Sequence, residues 1–144
     1  MATISRYVHG THASEQRRLA DMNTLINSLS LSALRPVPGE RVLEVGAGLG
    51  QMARAMGAVA GVPVVAIERS PQQLARAKQL ASEANDATAI DWREGDALAM
   101  PLAAAEWGAF DLAHARFLLE HVPDPLAVVQ AMARAVRSGG RVVV

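Results

Sequence analysis

The sequence predicts an α/β protein: a doubly wound parallel sheet preceded by an N-terminal helical segment. Three observations carry this. Short apolar runs alternate with amphipathic helical patterns from residue 41 onward, the signature of repeated strand–helix–strand units. The first apolar run, Arg41-Val42-Leu43-Glu44-Val45, passes directly into Gly46-Ala47-Gly48-Leu49-Gly50, a glycine turn between a strand and a helix. Two later helices open with a cap residue followed by proline, Ser70-Pro71 and Asp124-Pro125.

Taken in order, residues 1–13 are polar and irregular and include Tyr7, His9 and His12. Ser14 is a cap for a first helix, with Glu15 in its first turn and Leu19, Met22, Ile26 and Leu29 as its apolar stripe. A break is expected near Ser28–Ser32 and an end before Pro36. Pro36-Val37-Pro38-Gly39 is a linker, dividing a helical segment (1–35) from an α/β core (36–144). After the first strand, a helix from Gly50 to Gly61 carries Met52, Met56 and Val59 on one face, with Gly57 allowing close packing on the sheet. The second strand is Val62–Ile67, finishing at Glu68. Ser70, Pro71 and Gln73 form a capping box for a helix that runs to about Ala84.

A third strand covers Thr88–Arg93 and ends in Glu94-Gly95-Asp96. Residues 97–107 are ambiguous, with one short helix after Pro101. Phe110–Ala115 is the fourth strand, within which His114 falls in the alternating pattern. The following helix has Leu126, Val129, Met132, Ala133 and Val136 as its buried stripe, Arg134 and Arg137 near its end, and Gly139-Gly140 as its stop. Arg141–Val144 begins a fifth strand.

Composition narrows the function. The 144 residues are 51% hydrophobic, enough for the core of one domain, and the formal net charge is zero. No basic excess points to nucleic acid and no acidic excess to a basic partner. There is no cysteine, and the four histidines lack metal-motif spacing, so no metal site is expected. Met1–Arg6 lacks a signal core and no apolar run reaches spanning length, which predicts a cytoplasmic protein without a membrane partner.

Ligands of such sheets bind beyond the carboxyl ends of the strands, at the point where the winding reverses. Here three of the first four strand ends carry an acid: Glu44, Glu68 and Asp96, with Arg116 after the fourth. An acid after the second strand is the usual acceptor for ribose hydroxyls. Glu44 is the odd residue, because a carboxylate in a buried strand needs a partner, and a cationic group on a ligand over the turn would be one.

Glu44-x-Gly46-x-Gly48-x-Gly50 resembles the first motif of class I S-adenosylmethionine (SAM)-dependent methyltransferases. Glu94-Gly95-Asp96-Ala97, Phe110-Asp111-Leu112 with Leu118–Pro125, and Arg134–Gly140 resemble that family's later segments in the same order. Tyr7 with Glu15–Leu19 resembles the preface of its small-molecule members. The resemblance covers nearly the whole chain. It implies a Rossmann-like sheet in the order 3-2-1-4-5, SAM as cofactor, and methyl transfer to a small-molecule acceptor. It assigns Glu44, Gly46, Ala47, Gly48 and Gly50 to the methionine end, Glu68 with Arg69 to the ribose, and Asp96 and Ala97 to adenine. Arg116 is placed beside the cofactor, and Tyr7 and Arg18 near its carboxylate.

The resemblance names no obligatory catalytic residue. His121 is the candidate general base, although its place before Pro123-Asp124-Pro125 suits a structural loop histidine better. Trp92 and Trp107 read as packing residues rather than a substrate cage. A nicotinamide-dependent oxidoreductase is the main rival. Gln51 stands where the dinucleotide fingerprint G-x-G-x-x-G needs its third small residue, which counts against it. A fragment that holds SAM without catalysis is the second. Members of the resembled family have further strands, so the core is expected to be incomplete at its C-terminus, with little activity alone and an exposed fifth-strand edge open to self-association.

Overall fold

A computed structural model describes residues 13–144. Tyr7, His9 and His12 lie outside the described residues. The elements are α1 (Ala13–Leu34), β1 (Val42–Val45), α2 (Gln51–Ala60), β2 (Val64–Glu68), α3 (Pro71–Glu83), β3 (Ile90–Glu94), β4 (Phe110–His114), α4 (Pro125–Ala135) and β5 (Val136–Val143). Short 3₁₀ turns cover Ala104–Glu106, after Pro101 as expected, and Leu119–His121. All strand pairs are parallel, in the predicted order β3-β2-β1-β4-β5, so β5 forms one edge of the sheet. None of the described helices is long and apolar enough to cross a membrane.

Strand alternation divides the core into two layers. Leu43, Val45, Val65, Ile67, Phe110 and Ala113 face α4, which buries Val128, Ala131, Met132 and Ala135 against them. Val42, Val64, Ala66 and Leu112 face the other way, against Met52, Ala53 and Met56 of α2 and Leu34 of α1. Gly57 lets α2 settle on this face: a Cβ there would meet Thr88 Cγ2 at 2.6 Å and Val64 Cγ2 at 3.1 Å. Trp92 and Trp107 pack against the two layers, as expected of packing residues.

Several local expectations are corrected. Helix α1 includes Ser14 rather than being capped by it. It runs unbroken through Ser28–Ser32, because its last turns are held by burial of Leu34 and by a hydrogen bond from Arg116 to Ser30. Its apolar stripe is not a core face. Only its C-terminal end reaches the body, leaving Met22, Leu25 and Leu29 exposed. In α2 Val59 is exposed and Ala60 is buried instead. The α4 stripe is turned from the predicted set: Leu126 and Ala133 face out, while Val128, Ala131 and Ala135 face in. This helix is apolar on most sides, so periodicity alone fits two rotations.

The second strand starts after Pro63, which has no N–H for a ladder. Helix α4 also ends earlier than Gly139-Gly140, at Ala135. Phe110 pairs with Val136 and Leu112 with Arg141, so residues 137–140 stand opposite Asp111 alone. Arg137 Nε donates to Asp111 Oδ1 at 2.5 Å, Gly139 takes φ +80°, and a Cβ on Gly140 would collide with Val136 and the Asp111 carbonyl. The glycines thus make an irregularity in the β4–β5 pair rather than a helix stop.

Candidate functional site

The carboxyl ends of β1, β2, β3 and β4 surround a crevice of about 360 Å³. Its lining includes Gly46, Gly48, Ile67, Glu68, Arg69 and Gln73 together with Asp96, Ala97, Leu98, Leu118, His121 and Val122. A second cavity of about 210 Å³ adjoins the glycine turn and is lined by Glu44, Ala47, Gln51, Met52, Arg116 and Phe117 among others.

The turn is set by backbone geometry. Gly46 and Gly48 adopt φ +71° and +55°, left-handed values that favour glycine. The N–H groups of Gly46 and Ala47 both donate to the Ile67 carbonyl at 2.9 Å, tying the turn to the end of β2. Glu68 completes the tie: Oε2 accepts from the Gly48 N–H at 2.8 Å and Oε1 from the Ser70 N–H at 2.9 Å. One carboxylate therefore joins the glycine turn to the start of α3. This also corrects the capping box. The Ser70 hydroxyl accepts from the Gln73 N–H at 3.3 Å, but the Ser70 N–H is taken by Glu68, and the Gln73 side chain lines the crevice instead.

Asp96 lines the same crevice in an Asx-type turn, with Oδ1 accepting from the Leu98 N–H at 2.8 Å. Its other oxygen is left for a ligand donor. The residues Ile67, Ala97, Leu98, Leu118 and Val122 make the adjoining wall apolar, suited to a flat heterocycle.

Glu44 is buried, as its strand position demands, but its partner is internal. Oε2 lies 2.5 Å from His114 Nδ1 on the neighbouring strand. This internal contact gives His114 a role that its alternating position did not reveal. Burial pushes the Glu44 carboxyl up, while the His114 hydrogen bond and the charges of His114 and Arg116 pull it back.

Gly46, Ala47, Gly48, Glu68, Arg69, Asp96, Ala97 and Arg116 all line one cavity or the other. Gly50 does not. It has φ +77°, and a Cβ there would overlap the Trp92 ring, so its smallness serves packing. Arg18 is not brought to the crevice; it is exposed on α1 and pairs with Glu15 at 2.6 Å. Its helix meets the body only further on, so the side chain finds its nearest acid one turn away. Tyr7 lies outside the described residues. His121 lines the crevice, yet its side chain is 72% exposed, with Nε2 3.6 Å from Glu120 Oε1. A solvated imidazole of that kind suits a loop residue.

Sequence reasoning missed Phe117 and Asn27. Arg116 reaches α1, donating from Nη1 to Ser30 Oγ at 2.9 Å and from Nη2 to Asn27 Oδ1 at 2.5 Å. Phe117 is 60% exposed with φ +56° and lines both cavities. No local pattern signals a left-handed phenylalanine.

A five-stranded parallel sheet with this winding is a Rossmann-like, doubly wound α/β domain, whose ligand crevice lies beyond the carboxyl ends of its strands. Residues 43–144 match the family described as a methyltransferase domain, and the chain belongs to it. It is 42% identical over 120 residues to the ubiquinone biosynthesis O-methyltransferase of Ralstonia nicotianae, covering 81% of this chain and 48% of that protein. Among solved structures it resembles the [4+2]-cyclase SpnF, with TM-score 0.71 and 27% identity over 82% of this chain and 43% of that one. It also resembles CrArsM, an arsenic(III) S-adenosylmethionine methyltransferase from Chlamydomonas reinhardtii, with TM-score 0.66 and 26% identity over 74% of this chain and 38% of that one. The chain spans about half the length of the curated relatives it matches. The family match supports the methyltransferase reading over the dinucleotide one.

SAM is the cofactor the family implies, and the crevice fits it on three counts. Gly46 and Gly48 leave the turn bare of side chains, and a Cβ at Gly46 would press on Leu118 at 3.0 Å. Each oxygen of Glu68 accepts one backbone N–H and retains capacity for a hydroxyl. Asp96 keeps one oxygen beside an apolar slot.

Proposed function

We propose that this chain is the cofactor-binding core of a SAM-dependent methyltransferase that acts on a small-molecule acceptor. The observation that carries it is the pair of acids lining one crevice, Glu68 holding the glycine turn and Asp96 beside apolar residues. In this reading Glu68 accepts from the ribose hydroxyls, with Arg69 at the rim. Asp96 accepts from the adenine amine and the Ala97 N–H donates to the ring. Gly46, Ala47 and Gly48 line the methionine end, and Glu44 acts through the wall it forms with His114. Bound there, SAM supplies a methyl group on a sulfonium that is already a good leaving group. The protein's own work is to hold and align, which supplies much of the acceleration in such reactions. No side-chain base is required when the acceptor arrives deprotonated, in keeping with the exposed setting of His121.

A second reading is that the chain holds SAM without methyl transfer; the likeness to a protein named as a cyclase shows that this architecture is not tied to one activity. Calorimetry with S-adenosylhomocysteine (SAH), NAD and NADP tests the binding half. Tight binding of SAH alone is expected, and preference for a dinucleotide would sink the reading. Mass analysis of acceptors incubated with SAM then separates transfer from holding.

A further inference from the structure

We propose that Arg116 receives the carboxylate of the ligand's amino-acid end in the smaller cavity, and that Asn27 of α1 is the positioning residue that holds it there. This rests on the SAM-binding reading above and adds to it the group that recognises the part of the ligand farthest from adenine.

Arg116 stands where the two cavities meet, since it lines both. A ligand with its adenosyl group in the larger cavity presents its amino-acid end to the smaller one. Among the residues lining that smaller cavity, Arg116 alone carries a permanent positive charge. Glu44 lies near enough to feel this charge, but its hydrogen bond goes to His114. Among the described residues Arg116 makes no salt bridge. It is half-buried, and a charge withdrawn from water calls for a charged partner. Two of its five N–H groups are used, on Ser30 Oγ at 2.9 Å and Asn27 Oδ1 at 2.5 Å, both neutral acceptors. The rest of the planar fork is available, and its geometry matches a carboxylate.

Asn27 fixes the orientation of that fork. A guanidinium only donates, so Asn27 turns Oδ1 toward it, and Nδ2 is left to donate to Gln51 Oε1 at 3.1 Å. Gln51 opens α2 and lines the smaller cavity as well. One side chain from α1 thereby ties the loop after β4 to the start of α2, on two sides of the same cavity. The Phe117 ring adds a third restraint, with the Arg116 Cζ 5.3 Å from its centroid. None of these partners cancels the charge. An aspartate at position 27 could accept from Arg116 as well as the amide does, but it would neutralise the guanidinium. An amide there holds the arginine and leaves its charge for an anion that arrives with the ligand.

The test is calorimetry with SAH and with its decarboxylated analogue, which keeps the adenosyl group and the amine and lacks only the carboxylate. The wild-type chain should bind SAH at least about tenfold more tightly than the analogue. Arg116→Gln should shrink that ratio to within about threefold. Asn27→Asp separates the proposal from a purely structural role. The new ion pair should keep α1 docked and hold or raise the thermal midpoint, yet the ratio should fall by at least about fivefold, because the guanidinium charge is cancelled. A residue that served only to dock α1 would leave the ratio where it was. Each variant is read as a ratio of two ligands on the same protein, so a general loss of stability or of adenosyl binding does not mimic the effect. Should Arg116→Gln fail to fold, Asn27→Asp decides. An unchanged ratio in either folded variant would overturn the proposal. Equal affinity of the wild-type chain for the two ligands would overturn it while leaving the SAM-binding reading in place. Failure of the wild-type chain to bind either ligand would overturn that reading and the proposal with it.

Discussion

Glu44 and His114 are direct partners across the β1–β4 ladder, and their side chains close a 2.5 Å hydrogen bond beneath the glycine turn. Both are buried in the layer that faces α2. The pair joins the two strands whose ends flank the junction of the cavities.

Replacing His114 by Leu should therefore destabilise the fold by at least about 1–3 kcal/mol, because a buried carboxyl loses its partner. Replacing both, Glu44→Leu with His114→Leu, should recover part of that loss, since an apolar pair leaves nothing unsatisfied. Urea unfolding of the three variants reads this directly. An unchanged midpoint in His114→Leu would show the bond to be immaterial.

Glu68 should matter to both binding and loop order. Glu68→Ala removes the acceptor of the Gly48 and Ser70 N–H groups along with the proposed ribose contact. SAH affinity should fall by roughly 1.5–3 kcal/mol, the range for hydrogen bonds to a charged group. Calorimetry on the folded variant that gives wild-type affinity would take Glu68 out of the site.

A part-buried ion-pair network away from the crevice sets a pH dependence. Arg93 grips Glu106 with two hydrogen bonds of 2.7 Å and also holds Asp91. The Arg93 hydrogen bonds hold the Glu106 carboxyl down at about 2, against an ordinary value of 4.5. A depressed acid contributes stability above its unfolded value and loses it as pH falls toward its folded value. The thermal-midpoint gap between wild type and Glu106→Gln should therefore be full above pH 4.5 and close as pH drops to about 2. A gap that stays constant over that window would mean the pair contributes nothing through its charge.

Local chemistry made much of the site legible. Gly46 and Gly48 announce a turn because left-handed backbone there favours glycine, and Glu68 and Asp96 announce acids because they follow apolar runs. Gly50 carried the same local mark as its neighbours, and to its left-handed backbone the fold adds a second reason, the Trp92 ring, forty-two positions along the chain. Arg18 was placed by resemblance at the cofactor, but the part of α1 that reaches the body lies further along, at Asn27, Ser30 and Leu34.

The sequence by itself determined the strand–helix alternation, and with right-handed crossovers that leaves few arrangements of a parallel sheet. It also determined where the crevice falls, since strand ends and glycine turns are local features. Tertiary structure alone decided which side chains meet. Glu44 found His114 because parallel pairing set them side by side, and α4 took one of two rotations its apolar surface allowed. Phe117 was turned outward because Arg116 and Leu118 are anchored to different parts of the fold. Such pairings depend on residues distant in sequence, and no local propensity encodes them.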